Sequence, residues 1–123
     1  MKVYFVGAGP GSVDLLTVKA HRLISNAKVC VYAGSLVSPQ VMTLVPSSAE
    51  VYDSSRMSLP EIIEVCRAAR SQGLDVVRLH SGDPSIYGAI REQMIELDRE
   101  GIEYEVIPGV SSFQAAAAAL KTE

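Results

Sequence analysis

Short apolar runs alternate with longer segments of helical period along the whole chain, and this alternation constrains the fold more than any other feature. Lys2–Gly7 carries Val3, Tyr4, Phe5 and Val6 in unbroken succession, and Lys28–Tyr32 repeats the pattern with Val29, Cys30 and Val31. Ala49–Tyr52 is a weaker third run, followed by Asp75–His80 and Glu103–Ile107. Residues apolar at successive positions suit strands covered on both faces, as in a parallel sheet. Between the runs, Leu59, Ile62, Ile63, Cys66 and Ala69 recur at spacings of three and four and form one buried helical stripe. Ser58 is placed to cap that helix, with Pro60 in its first turn and Glu61 to close a capping box. Ile86, Ile90, Met94 and Leu97 predict a second stripe on a helix over Ile86–Arg99, stopped by Gly101. Leu15–Asn26 and Val110–Leu120 read as further helices, the alanines at 115–119 being a slim packing face, and Ser38-Pro39 opens a short helix over Gln40–Leu44. The strictly alternating order predicts an α/β fold, an open parallel five-stranded sheet with helices on both faces.

Composition narrows the function. At 123 residues, 48% of them hydrophobic, the chain is expected to form one ordered domain over 1–123. No apolar run approaches the roughly 18–20 residues that a membrane span needs. A formal charge of −3 disfavours electrostatic capture of nucleic acid or of an anionic membrane surface. Cys30 and Cys66 are too few for a disulfide framework, so a reducing cytoplasm is the expected compartment.

Chemistry is expected beyond the carboxyl ends of the strands, where open parallel sheets bind ligands. Three turns rich in small residues fall there: Gly7-Ala8-Gly9-Pro10-Gly11, Ser81-Gly82-Asp83-Pro84 and Pro108-Gly109-Val110-Ser111-Ser112. The first is not a dinucleotide fingerprint, because Ser12 stands where the third glycine belongs and Tyr32-Ala33-Gly34, with no carboxylate, ends the second strand. No Gly-Lys-Ser/Thr follows to make a phosphate loop. Asp83, held between Gly82 and Pro84, either orients a polar ligand or caps the following helix, and its residue type serves both. Ser111 with Gln114 fits a capping box that leaves Ser112 free to face a pocket. His21 and His80 lack the clustered partners of a metal site, and no nucleophile elbow is present. Arg56, Arg78 and Lys121 are cations within reach of an anionic substrate, though each is read as a solvated surface residue. A backbone-built pocket of this kind suits reactions in which a cofactor carries the reactivity and the protein supplies position.

The whole chain resembles the amino-terminal half of the tetrapyrrole methyltransferases, which use S-adenosylmethionine (SAM). The resemblance is carried by Val6-Gly7-Ala8-Gly9-Pro10-Gly11 with Leu15-Leu16-Thr17, by Ser81-Gly82-Asp83-Pro84-Ser85-Ile86-Tyr87-Gly88 and by Pro108-Gly109-Val110-Ser111-Ser112. Tyr32-Ala33-Gly34-Ser35-Leu36-Val37 and the string from Val110 to Ala118 are most similar to the branch that methylates carbon 11 of precorrin-4 or cobalt-precorrin-4 in cobalamin biosynthesis. The resemblance implies that Pro10, Ser81, Gly82, Asp83, Ile86, Ser111 and Ser112 contact SAM, with S-adenosylhomocysteine (SAH) as product. It also implies that Gly9, Pro10 and Gly11 lie on the tetrapyrrole side. Asp83 is expected to organise the site and to be its catalytic residue. No metal ligand is implied. Such enzymes carry a second domain that this chain is expected to lack, so weak or undetectable SAM binding and no methyl transfer are expected of it alone, and the full-length enzyme is expected to be a homodimer. A half-site module from another branch, acting on precorrin-2, precorrin-3 or uroporphyrinogen III, is the alternative.

Overall fold

The computed structural model describes every residue from Met1 to Glu123. Five strands form one sheet: β1 (Lys2–Gly7), β2 (Val29–Tyr32), β3 (Glu50–Asp53), β4 (Val76–His80) and β5 (Glu103–Ile107). Their spatial order is β3-β2-β4-β1-β5, and every pairing is parallel. The helices are α1 (Val18–Ser25), α2 (Pro39–Met42), α3 (Leu59–Ser71), α4 (Arg91–Glu100) and α5 (Ser112–Leu120). The expected open parallel sheet is therefore present, with strand ends within a residue of those read from the apolar runs.

Successive strand residues feed two separate cores. Val3, Phe5, Val29, Val31 and Val76 pack against Ile63, Cys66 and Ala69 of α3 and Leu97 of α4. Val6, Cys30, Val77 and Leu79 pack on the opposite face against Ala20 and Ile24 of α1 and Val41 of α2. This two-sided burial is why the strands are apolar at adjacent positions.

Several helix boundaries differ from the periodic reading. The segment from Leu15 to Asn26 is broken: Val13–Leu15 forms a single 3-10 turn, and Thr17 caps α1 by accepting the Ala20 amide on Oγ1 at 3.0 Å. The helix expected from Ile86 begins only at Arg91. Tyr87 and Ala89 have left-handed backbone conformations (φ 59° and 53°), and a β-carbon at Gly88 would overlap the Pro84 carbonyl. These features interrupt a helix that the spacing of Ile86, Ile90 and Met94 alone would continue; Ile86 is half-exposed instead. Helix α5 fully buries none of its residues; of its alanines, Ala115 and Ala117 are partly covered and Ala116, Ala118 and Ala119 are exposed. The α3 cap is as expected, with Ser58 and Glu61 exchanging hydrogen bonds.

The connections diverge at the centre of the sheet. From β1 the chain leaves through α1 on one face toward β2; from β4 it leaves through α4 on the other face toward β5. Between β1 and β4 this opens the crevice where α/β sheets bind ligands.

Candidate functional site

The three small-residue turns meet at that crevice, the first two zipped together through main chain and the third packed against them. Gly9 and Gly82 form an antiparallel bridge, Gly9 N donating to Gly82 O at 3.2 Å and Gly82 N to Gly9 O at 2.8 Å. The contact leaves no space for side chains. A β-carbon on Gly7 would lie 2.6 Å from Gly82 O and 2.7 Å from Gly109 Cα, and one on Gly109 would overlap the Gly82 carbonyl. Glycine is needed here for close approach as much as for turning.

Asp83 ties two of these turns. Its Oδ2 accepts the Gly109 amide at 3.0 Å and its Oδ1 accepts the Ser85 amide at 2.8 Å. It therefore caps no helix, since α4 starts eight residues later with Ile90 at its N-cap and no side-chain cap. A carboxylate offers about four acceptor positions, so two amide bonds leave capacity for a ligand donor.

Above these turns lies a cleft of about 460 Å³. Gly9, Pro10, Ser81, Gly82, Asp83, Ile86, Ser111 and Ser112 all line it. Gly11 does not; its carbonyl accepts Ser38 Oγ at 2.7 Å and so anchors the start of α2. Ser111 is buried while Ser112 is exposed, and Gln114 accepts the Ser111 amide at 2.9 Å. Sequence reasoning missed two lining residues, Leu36 and Tyr87. The signal for Tyr87 was present: an aromatic residue beside Gly88 in a turn, here fully exposed at the cleft. A second hollow, of about 350 Å³, lies at the amino ends of the strands between Tyr4, Lys28 and Gly73, away from all three turns.

Beneath the cleft is a buried polar set that the sequence did not reveal. Arg78, read as solvated, is 6% exposed. It is buried because it lies inside a central strand covered by α3 and α4. The Arg78 guanidinium has no carboxylate partner; Nε donates to Gln93 Oε1 at 3.0 Å, and Nη1 lies 3.4 Å from the Val31 and Leu79 carbonyls. Burial lowers its pKa to about 10. His80 packs its ring 6.1 Å from that of Phe5, and its buried Nε2 has no hydrogen-bond partner. Burial, helped by the Arg78 charge, pushes His80 down to about 3, so the imidazole is neutral at ordinary pH. Burial raises the Cys30 and Cys66 thiols to about 12 and about 11, which makes them inert core residues.

The model of the family described as Tetrapyrrole (Corrin/Porphyrin) Methylases matches residues 2–123. The chain belongs to the tetrapyrrole methylase family. Among curated members, it is 51% identical over 123 residues to a precorrin-4 C(11)-methyltransferase of Rhodococcus erythropolis, covering all of this chain and 49% of that protein. To a cobalt-precorrin-4 C(11)-methyltransferase of Methanocaldococcus jannaschii it is 54% identical over 122 residues, covering 99% of this chain and 47% of the other. A solved cobalt precorrin-4 methyltransferase superposes with a TM-score of 0.95 at 47% identity, over 99% of this chain and 51% of that one. A uroporphyrin-III C-methyl transferase from Thermus thermophilus, solved with S-adenosyl homocysteine, gives a TM-score of 0.81 at 39% identity, over 95% of this chain and 48% of that one. The chain thus spans about half the length of the tetrapyrrole methylases it matches. The zipped turns and their cleft lie wholly within this shared half.

Proposed function

We propose that this chain forms one wall of the active site of a SAM-dependent methyltransferase acting on carbon 11 of precorrin-4 or cobalt-precorrin-4. The observation that carries the reading is the convergence of Pro10, Ser81–Asp83, Ile86, Ser111 and Ser112 on one cleft at the sheet's switch point. The donor set fits SAM: serine hydroxyls and glycine main chain for polar groups, one carboxylate with spare acceptor capacity, and Leu36 and Ile86 as apolar walls. The C-11 assignment is supported by 51% and 54% identity to the precorrin-4 and cobalt-precorrin-4 enzymes, against 38% to a uroporphyrinogen-III C-methyltransferase of Cyanidium caldarium.

When bound, SAM supplies a methyl group already activated on a sulfonium, so the chain needs no nucleophile of its own. Ser81, Gly82, Asp83 and Ile86 hold the cofactor from the β4 turn, and Ser111 and Ser112 hold it from the β5 turn. Pro10 and Gly9 border the tetrapyrrole. Asp83 fixes the relative position of the β4 and β5 turns through its two amide bonds, and this rigidity favours catalysis by alignment. The opposite wall comes from a second domain of the size the relatives carry, and the complete enzyme is a cytoplasmic homodimer.

Calorimetry with SAH and with NAD checks the cofactor, SAH being the one expected to bind. Supplying 13C-methyl SAM with precorrin-4, cobalt-precorrin-4 or uroporphyrinogen III, in separate arms, to the chain with the carboxyl-terminal half of the Methanocaldococcus jannaschii relative added checks the reaction. Label at carbon 11 is expected. Tight NAD binding overturns the cofactor reading, and label appearing only on uroporphyrinogen III overturns the substrate.

A further inference from the structure

We infer that Gln93 is a positioning residue for the cleft, bracing the Pro84–Ile90 shoulder from beneath in the conformation that presents Ile86 to a ligand; the inference rests on the methyl-donor reading above. It starts from the buried Arg78, a cation whose partners are an amide and two carbonyls. An arginine side chain only donates hydrogen bonds, so the amide group of Gln93 must turn its oxygen toward Arg78. Its nitrogen is then turned the other way, where Nε2 donates to the Ala89 carbonyl at 3.1 Å. Arg78 thus sets the direction of the Gln93 amide, and the Gln93 amide holds Ala89.

Ala89 needs holding. It and Tyr87 are the two left-handed non-glycine residues of the shoulder, and no side chain caps the amino end of α4 behind them. The shoulder is pinned at its entry by the Ser85 and Ile86 amides, which donate to Asp83 Oδ1 and to the Asp83 carbonyl, and at its exit by Gln93. The Ile86 side chain, at the edge of the entry pin, and Tyr87, between the two, line the cleft. Without the exit pin, residues 87–89 can relax to the ordinary right-handed region and turn the Tyr87 and Ile86 side chains away from the cleft.

Gln93→Glu separates this role from plain stability. Glutamate keeps an acceptor for Arg78 and adds an opposite charge, but it has no donor for Ala89. In the 123-residue chain, Gln93→Glu is expected to melt no lower than the parent. At the same time, 13C shifts at Tyr87 and Ala89 lose their left-handed signature, and 15N relaxation shows new motion in residues 85–90. In shift titrations with the carboxyl-terminal half of the Methanocaldococcus jannaschii relative added, the affinity for SAH falls by about five- to tenfold, the value of one hydrogen bond. Gln93→Leu removes both contacts and lowers the melting temperature and the affinity together. Parent-like shifts at 85–90 in Gln93→Glu overturn the brace. Altered shifts with unchanged SAH affinity overturn the positioning role. Failure of the methyl-donor reading looks different: with that half added the parent gives no SAH response at Ser81–Ile86, while Gln93→Glu still loosens the shoulder.

Discussion

The two faces of the sheet bury cores of equal size, eleven residues each, yet they are built differently. The face under α1 and α2 is apolar throughout. The face under α3 and α4 also carries Arg78, His80 and Gln93 toward the carboxyl end of β4. An apolar face is the cheaper way to stabilise a domain, because every buried polar group must find a partner or lose free energy. The polar set lies directly behind the strained shoulder of the cleft. One face is scaffold, and the other joins scaffold to site.

Deletion on the apolar face should give the largest effect. Ile24 is fully buried, and Ile24→Ala is expected to cost about 2–5 kcal/mol in denaturant unfolding. Cleft resonances at Ser81–Ile86 should not shift; if they do, the faces are not independent. Gln93→Leu on the polar face should cost about 1–3 kcal/mol, because Arg78 Nε is left buried without its partner. Here the cleft resonances should move.

The pH dependence sharpens the same contrast. His80 is depressed from 6.5 to about 3 in the folded chain, so between these values the unfolded chain binds the extra proton. Its contribution is complete above pH 6.5 and is lost as pH falls toward 3, at up to about 1.4 kcal/mol per pH unit. Urea titrations of parent and His80→Phe should diverge only on this acid arm; identical slopes would contradict the buried neutral imidazole. The smallest effect belongs to Ser58→Ala, far from the cleft. Loss of the α3 cap should cost about 1 kcal/mol by thermal melting, with cleft resonances unchanged.

Much of the architecture was legible in the sequence because the forces involved are local. Val3 to Val6 are apolar in succession because both faces of β1 are covered, and Ser58 with Glu61 announces a helix start within four residues. The three turns could be placed at strand ends for the same reason. What was not legible depends on distant residues. Gly7 and Gly109 touch across more than a hundred positions of sequence, and the strand order that brings them together has no local signature. Ile86 shares the spacing of Ile90 and Met94, so only the overlap of a Gly88 β-carbon with Pro84 shows that it leaves the helix. Arg78 carries a charge normally found at the surface, and only its place in a central strand reveals it as buried. Gln93 gave no signal at all, since its role exists only relative to Arg78 and Ala89.

The central claim is that the chain holds a methyl donor at the carboxyl ends of β1, β4 and β5. Its most direct test is a 15N-labelled sample of the chain, with the unlabelled carboxyl-terminal half of the Methanocaldococcus jannaschii relative present throughout, titrated with SAH and followed residue by residue. The account predicts shifts confined to Gly9, Ser81–Asp83, Ile86, Ser111 and Ser112, with Tyr4, Lys28 and Gly73 unmoved. Shifts at the amino-end hollow, with the three turns silent, would contradict it.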